Sequence, residues 1–282
     1  MYTGVNLAGA EFGDYDTFGS GNLPGNFGSD YTYPTFAEID YFASKGLNTI
    51  RLPFRWERLQ RTLLGDFDQA EFNRLNNVVQ YATDRGIHVI LDPHNYARYT
   101  VSPGNVQLIG SSQLPNSTFA DFWRRLASVY KDNDKVIFGL MNEPHTMPTE
   151  QWVSAASAAI DAIRGAAAGN LILVPGNGYS GAHSWSQNYY GTSNATALQA
   201  IIAKNDPNLA FEAHQYFDQD SSGNSGFAVS PEVVRQRLGD FNAWLASTGQ
   251  KGFLGEFGSD SSSAGLLALD TALAYLEENS EH

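Results

Sequence analysis

Short apolar runs and longer amphipathic stretches alternate along the whole chain. Seven apolar runs predict β-strands, at Gly4–Leu7, Thr49–Leu52, His88–Leu91, Val136–Met141, Leu171–Val174, Ala210–Ala213 and Gly252–Leu254. Seven stretches with helical spacing predict helices, at Tyr33–Lys45, Gln69–Arg85, Ser117–Lys131, Thr149–Arg164, Ala195–Lys204, Pro231–Thr248 and Ala264–Glu278. Strands that alternate with helices are typical of a parallel sheet, and uniformly apolar strands indicate a sheet covered on both faces.

The alternation predicts an α/β fold, a (β/α)8 barrel, in a single domain over residues 1–282. The 282 residues are close to the roughly 250 that such a barrel needs. Because only seven strands can be counted, we expect the eighth strand and the closing helix to be absent from this chain. The first and last strands would then be open edges, which favour pairing with another strand. We therefore expect a second polypeptide segment to supply strand eight; a genuine seven-stranded open barrel is the alternative.

The amino-acid composition limits the classes of ligand and site that the chain can have. The net charge of −13 argues against a nucleic acid or an anionic membrane as a partner, because both need a basic surface. The aromatic content of 13% suits a site that stacks on sugar rings. The chain has no cysteine, which excludes a thiolate metal site and a cysteine nucleophile, and it has no run of 18 apolar residues that would predict a membrane-spanning helix.

Polar residues follow the predicted strands. Two long loops, Ala8–Tyr31 and Tyr99–Pro115, also follow strands. In a barrel these carboxyl ends meet at one mouth, where the active site lies. Glu143 and Glu256 each come directly after a strand, and paired carboxylates are the apparatus of glycoside hydrolysis.

Six short motifs in order resemble those of the glycoside hydrolase family 5 endoglucanases, the cellulases of clan A. They are Gly4-Val5-Asn6, Arg51-Leu52-Pro53-Phe54, Asp92-Pro93-His94-Asn95-Tyr96, Asn142-Glu143-Pro144, His214-Gln215-Tyr216 and Gly255-Glu256-Phe257. The resemblance covers essentially the whole chain. It implies an endo-acting hydrolase of β-1,4-glucans that needs no metal or organic cofactor and acts outside the cell. The N-terminus itself carries no signal-peptide pattern.

The resemblance also assigns roles in a retaining double displacement. Glu256 would be the nucleophile and Glu143 the general acid/base, the carboxyl that stays protonated in the free enzyme. Asn142 would bind the 2-hydroxyl of the sugar in subsite −1. Four further residues would complete the catalytic set: Tyr216 and Arg51 beside Glu256, with His94 and His214 in the wall of subsite −1.

Contacts to the sugar chain are predicted from the same loops. Trp185 and Tyr179 are candidates for the aglycone side, where His183 stands in a position that often carries a tryptophan. Trp56 is a candidate for the glycone side. The complete set of predicted substrate-binding residues is Asn95, Tyr96, Trp185, Tyr179, Trp56 and His183.

Alternatives stay open at this stage. The two glutamates could be buried ion-pair partners, and His94 and His214 could bind a metal together with Asp92, although neither histidine has a second one at metal-ligand spacing. A structural role for Asp92, holding a neighbouring histidine or amide, is the better reading. Arg51 could cap the bottom of the barrel.

Function alternatives also remain. A β-mannanase or a xyloglucanase could use the same scaffold, because substrate choice depends on loops. A carbohydrate-binding barrel without catalysis is the alternative from a different class.

Overall fold

The computed structural model describes residues 1–13 and 23–281. In chain order its strands are β1 (Gly4–Asn6), β2 (Thr49–Phe54), β3 (His88–Pro93), β4 (Arg98–Ser102), β5 (Asn105–Leu108), β6 (Val136–Gly139), β7 (Ile172–Pro175), β8 (Leu209–Tyr216) and β9 (Gly252–Gly258). Seven of them form one parallel sheet in the order β1-β2-β3-β6-β7-β8-β9, while β4 and β5 form a separate hairpin. The predicted parallel barrel architecture is confirmed.

The helices cover the outside of the sheet. They are α1 (Phe36–Ser44), α2 (Trp56–Leu59), α3 (Gln69–Thr83), α4 (Asn116–Tyr130), α5 (Thr149–Gly165), α6 (Asn194–Ala197), α7 (Gln199–Ile202), α8 (Pro231–Thr248) and α9 (Ser263–Glu278). Helix α1 begins later than predicted because Thr35 forms a capping box with Glu38. The helix predicted over 195–204 is divided into α6 and α7. In the described part of the chain, no helix is both long and apolar enough to cross a membrane.

The hairpin β4–β5 was not predicted, since it lies in the segment 99–115 that was read as a loop. Its strands are largely half-exposed, and Gly104 turns the chain with φ +75°. The other predicted loop, 8–31, contains residues 14–22, which lie outside the described residues.

An apolar layer closes the barrel interior below the site. Ile90, Ile137, Leu173 and Ala210 are buried together, each from a different strand. Side chains two residues apart share one face of a strand. Asp92 therefore follows Ile90 on the inner face of β3, and Glu212 follows Ala210 on the inner face of β8. The floor of the barrel is apolar and the next level is charged.

The barrel is nearly closed but its seam is not sealed. Strands β1 and β9 are the two ends of the sheet, with no ladder between them in the described chain. One side-chain hydrogen bond crosses the seam, from Asn6 Nδ2 to the carbonyl of Gly255 at 2.9 Å. The seven strands and the open seam agree with the sequence prediction.

Candidate active site

A bulge in β9 turns Glu256 into the barrel. Phe253 packs with the inner apolar layer, so simple alternation would point Gly255 inward and Glu256 outward. The register with β8 shifts at this point: Ala213 pairs with Leu254, and His214 pairs with Glu256. Gly255 is the extra residue, which is the common use of a β-bulge beside an active site.

Glu143 reaches the same space from the end of β6. Its backbone lies in the left-handed region, with φ +41°, which is unusual for a residue with a side chain. The backbone N–H of the preceding residue, Asn142, donates to the carbonyl of Pro93 at 3.0 Å and anchors the chain there. The strained conformation and the anchored neighbour together aim Glu143 at the mouth.

The two carboxylates lie close together. Glu143, Glu256 and His214 each present a side-chain atom, and these atoms all lie within 4.8 Å of one another. The side chains of both glutamates are about one-sixth exposed, at 16% and 15%, so a substrate can reach them. Such proximity matches the carboxylate spacing of retaining glycosidases, roughly 5–5.5 Å, and not the wider spacing of inverting ones.

Glu256 is held as a carboxylate. Arg51 Nη1 lies 2.8 Å from Oε1, and the Tyr216 hydroxyl donates to Oε2 at 2.8 Å. Burial by itself would raise the pKa of Glu256, but the positive charges of His214 and Arg51 outweigh burial and hold this pKa well below its usual range. A permanently ionised carboxylate is what a nucleophile requires.

Glu143 is bound differently. In the described part of the chain its side-chain partner is His214, whose Nδ1 lies 2.7 Å from Oε1. Burial would lower the pKa of His214, but the charge of Glu256 and hydrogen bonds to Glu143 and Glu212 raise it to about 10. These carboxylates therefore favour the protonated, positively charged form of the ring.

Arg51 lies at the mouth of the barrel and does not cap the bottom. Its guanidinium is 3% exposed, and neighbouring carboxylates raise its pKa against the effect of burial. It contacts five side chains: Asn6 at 3.0 Å, Asp92 at 3.1 Å, Asn142 at 2.9 Å, Glu212 at 3.2 Å and Glu256 at 2.8 Å.

Asp92 holds His94, as expected for a structural role. The Asp92 carboxylate lies 2.8 Å from His94 Nδ1, and it raises the pKa of that ring although burial opposes the shift. Asp92 and His94 do not join His214 in a metal-binding arrangement. In the described residues, the group that could offer three ligands is Glu143, His214 and Glu256, and both ring nitrogens of His214 already face carboxylate oxygens.

Two acidic residues of the site were missed from the sequence. Glu212 is 1% exposed inside β8, and Glu11 accepts a hydrogen bond from the amide of Gly9 and feels the charges of His94 and Asp92. Burial raises the pKa of Glu11. Glu212 could have been identified from the sequence, because it is a charged residue inside an apolar run and shares a strand face with His214 two residues later.

Three predicted substrate-binding residues line the rim. Tyr179 is 48% exposed and stacks on His145, with ring centroids 4.3 Å apart and planes at 10°. Tyr96 is half-buried with its ring edge-on to His94 at 5.4 Å. His183 is exposed and its Nδ1 lies 3.0 Å from Gln215 Oε1. The stacking partner His145 was not predicted.

The other three predicted substrate contacts are placed in the interior. The indoles of Trp56 and Trp185 are fully buried among aromatic side chains, so neither can face a sugar without rearrangement. The side-chain amide of Asn95 is hydrogen-bonded through both its oxygen and its nitrogen: it accepts from the backbone of Trp56 and donates to Glu57 at 2.6 Å. Position next to a strand end did not reveal which way these side chains point.

The fold and the site together define a barrel hydrolase with a pair of carboxylates, one held ionised by arginine and tyrosine. The family description "Cellulase (glycosyl hydrolase family 5)" matches residues 5–282, and the chain belongs to this family.

Similarity to individual proteins supports this family membership. The chain is 38% identical to Endoglucanase 1 of Robillarda sp. (strain Y-20), over 100% of this chain and 75% of that protein. It is similar to XacCel5A in complex with cellopentaose, at 47% identity and a TM-score of 0.92, covering 99% of this chain and 86% of the other. It is also similar to Pseudomonas stutzeri endoglucanase Cel5A in complex with cellobiose, at 37% identity and a TM-score of 0.85, covering 98% and 79%.

Proposed function

We propose that the chain is an endo-β-1,4-glucanase that cleaves cellulose-type glucans by a retaining double displacement. The observation that carries this proposal is the close pair Glu143 and Glu256 at the carboxyl ends of β6 and β9, in a chain that belongs to the cellulase family. The relatives are endoglucanases, and two of the similar structures hold cellopentaose and cellobiose. A β-glucan is therefore the substrate.

In the first step Glu256 attacks the anomeric carbon. A bond forms between a carboxylate oxygen and this carbon while the glycosidic bond breaks, and Glu143 transfers its proton to the departing oxygen. Arg51 and Tyr216 support the role of Glu256, because they keep its carboxylate ionised and fixed in direction.

In the second step a water molecule attacks the glycosyl–Glu256 ester. Glu143, now a carboxylate, takes a proton from this water, and the ester bond breaks with return of the original anomeric configuration. His214 lies 2.7 Å from Glu143 and holds that carboxyl in place through both steps.

Asn142 binds the 2-hydroxyl of the sugar in subsite −1. Its Oδ1 accepts from Arg51 at 2.9 Å, whereas its buried Nδ2 finds no hydrogen-bond acceptor in the described part of the chain. A hydroxyl of the substrate can supply that acceptor. His94 completes the wall of this subsite, and Tyr179 with Tyr96 offers ring faces or edges to neighbouring sugars.

Two wider proposals follow. The enzyme acts outside the cell, since a cellulose chain is a polymer that is met there.

The open seam between β1 and β9 accepts an extended segment as an eighth strand. The unpaired edges of these two strands and the exposed leucines Leu266, Leu267 and Leu273 of α9 support this placement.

The test compares two variants on carboxymethylcellulose and on an activated aryl cellobioside. Glu256→Ala abolishes turnover of both, and azide restores cleavage of the aryl substrate with an inverted product. Glu143→Ala spares the first step on the aryl substrate, and azide then gives a product of retained configuration.

Exchanged behaviour of the two variants would refute the roles. Full activity of both variants would refute Glu143 and Glu256 as the catalytic pair, and binding without hydrolysis by the wild type would favour a non-catalytic carbohydrate-binding barrel. A panel of cellulose, mannan, xyloglucan and xylan ranks the substrates, with β-1,4-glucan expected first.

A further inference from the structure

Glu212 occupies the centre of the charged level without being one of the reacting groups. It is 1% exposed, and its Oε1 atom lies 3.2 Å from His214 Nε2 and 3.2 Å from Arg51 Nε. One carboxylate oxygen thus contacts both side chains: the contact with His214 is a hydrogen bond, and the contact with Arg51 is an ion pair in which Nε makes no hydrogen bond. A buried carboxylate is costly unless it is paired, so this position is specified by its partners.

The neighbouring strand leaves room for this carboxylate. A Cβ added at Gly255 would lie 2.0 Å from Glu212 Oε1 and 2.8 Å from its Cδ atom. Gly255 has no positive φ, so its backbone does not require glycine. Position 255, directly before Glu256, requires glycine because the Glu212 carboxylate fills the space that a side chain would need.

A continuous path of contacts links the two reacting carboxylates through Glu212. From Glu143 it runs to His214 (2.7 Å), then to Glu212 (3.2 Å), to Arg51 (3.2 Å) and to Glu256 (2.8 Å). We infer that Glu212 is a positioning residue of the reaction: it fixes Glu143 through the ring of His214 and Glu256 through the guanidinium of Arg51.

The contact also determines how His214 carries protons. A carboxylate only accepts, so Nε2 of His214 must hold a hydrogen and donate it to Glu212. Nδ1 is then the atom that shares a proton with Glu143. The negative charge of Glu212 favours retention of this proton. The other carboxylates that face the ring are Glu143 after β6 and Glu256 from β9, and Arg51 from β2 contacts both Glu212 and Glu256.

The first test is Glu212→Gln, which keeps the shape and removes the charge. The alkaline limb of the kcat/KM profile on glucan should move to lower pH by about 1 unit, because the proton shared by His214 and Glu143 is lost more easily. The acid limb should not rise, since Glu256 keeps Arg51. Glu71→Gln is the matched control: Glu71 is also 1% exposed, but its partners are Tyr31, Tyr33 and Arg74, away from the site.

The second test adds a methyl group at Gly255, in the space that the Glu212 carboxylate occupies. Gly255→Ala pushes the Glu212 carboxylate aside and should lower kcat/KM by roughly tenfold, less than the roughly 10²–10⁴-fold cost of losing a proton-transfer group, because Glu143 itself is kept. In the Glu212→Ala background the same change meets no carboxylate and should cost little further activity. Equal, additive losses in the two backgrounds would overturn the inference.

If the variants fail to fold, nitrogen NMR of the histidines in the wild-type protein decides the matter. Both ring nitrogens of His214 should stay protonated through neutral pH, and a deprotonated Nε2 would overturn the inference. The inference rests on the proposed roles of Glu143 and Glu256. Unshifted limbs in Glu212→Gln with normal azide rescue at the pair refute the inference alone, whereas failed rescue at the pair refutes the proposed function.

Discussion

At the residue scale, the two reacting carboxylates differ in their partners. Glu256 accepts from Arg51 and Tyr216, while Glu143 faces the ring of His214. Opposite charges and hydrogen bonds to the ionised form lower a carboxyl pKa, so Glu256 is the group that remains charged in acid. This difference in environment separates the nucleophile from the acid/base, although both residues are glutamates.

Arg51→Met tests the electrostatic part of this difference. Without the guanidinium the pKa of Glu256 should rise, so the carboxylate becomes protonated at a higher pH and the acid limb of kcat/KM moves upward by about 1 unit or more. The apparent values belong to the coupled groups and not to Glu256 alone. Arg164→Met, which removes an arginine paired with Asp206 outside the site, is the control. An acid limb that does not move would contradict the role of Arg51.

At the element scale, the strands could be predicted well and their ends less well. Every strand of the main sheet was found from its apolar run, because a parallel strand covered on both faces has few polar residues. Strands β8 and β9 extend further than predicted, through His214 and Glu256, since ladder hydrogen bonds continue after the apolar residues stop. The bulge at Gly255 left no clear signal, because it shows only in the register with β8, where Ala213 pairs with Leu254 and His214 pairs with Glu256.

The site, too, could be predicted only in part: the residues that converge were found, but the direction of some side chains was not. Arg51, Asn142, Glu143, His214, Tyr216 and Glu256 converge as expected, because the carboxyl ends of parallel strands share one mouth. Trp56 and Trp185 lie in the core, since burying a large indole is favourable and sequence position does not fix its direction.

The hairpin β4–β5 is fastened to the barrel by Glu57. This buried carboxylate accepts from the amide of Thr100 at 2.7 Å and from Asn95 at 2.6 Å. Glu57→Ala should lower the free energy of unfolding by about 2–4 kcal/mol, because it leaves the buried amide of Asn95 and the part-buried N–H of Thr100 without an acceptor. It should also raise KM, since Tyr96 adjoins Asn95. Chemical denaturation measures the first effect, with exposed Glu277→Ala as the control; an unchanged stability would contradict the fastening role.

At the scale of the whole molecule, the open seam is the main feature. Neighbouring strands from β1 to β9 are hydrogen-bonded in parallel, yet the two ends of the sheet meet through the Asn6 side chain alone in the described residues. Unpaired edges are usually covered or paired in natural proteins. The seam is therefore where the proposed eighth strand would pair.

Mass spectrometry under denaturing conditions, applied to a purified and fully active preparation, tests the filling of the seam. We expect a second peptide beside the 30.8 kDa chain, because an added strand would pair the two open edges of the sheet. A sole species of 30.8 kDa that is folded and fully active would contradict the proposal and favour a seven-stranded open barrel.

Covalent trapping tests the central claim most directly. A 2-deoxy-2-fluoro-β-cellobioside with a dinitrophenolate leaving group forms the glycosyl-enzyme without acid assistance, and the fluorine slows its hydrolysis. Digestion and peptide mass spectrometry then locate the bound sugar. We expect one stoichiometric label on Glu256, in the wild type and in Glu143→Ala alike. A label on Glu143, or complete turnover of the reagent without any labelled enzyme, would contradict it.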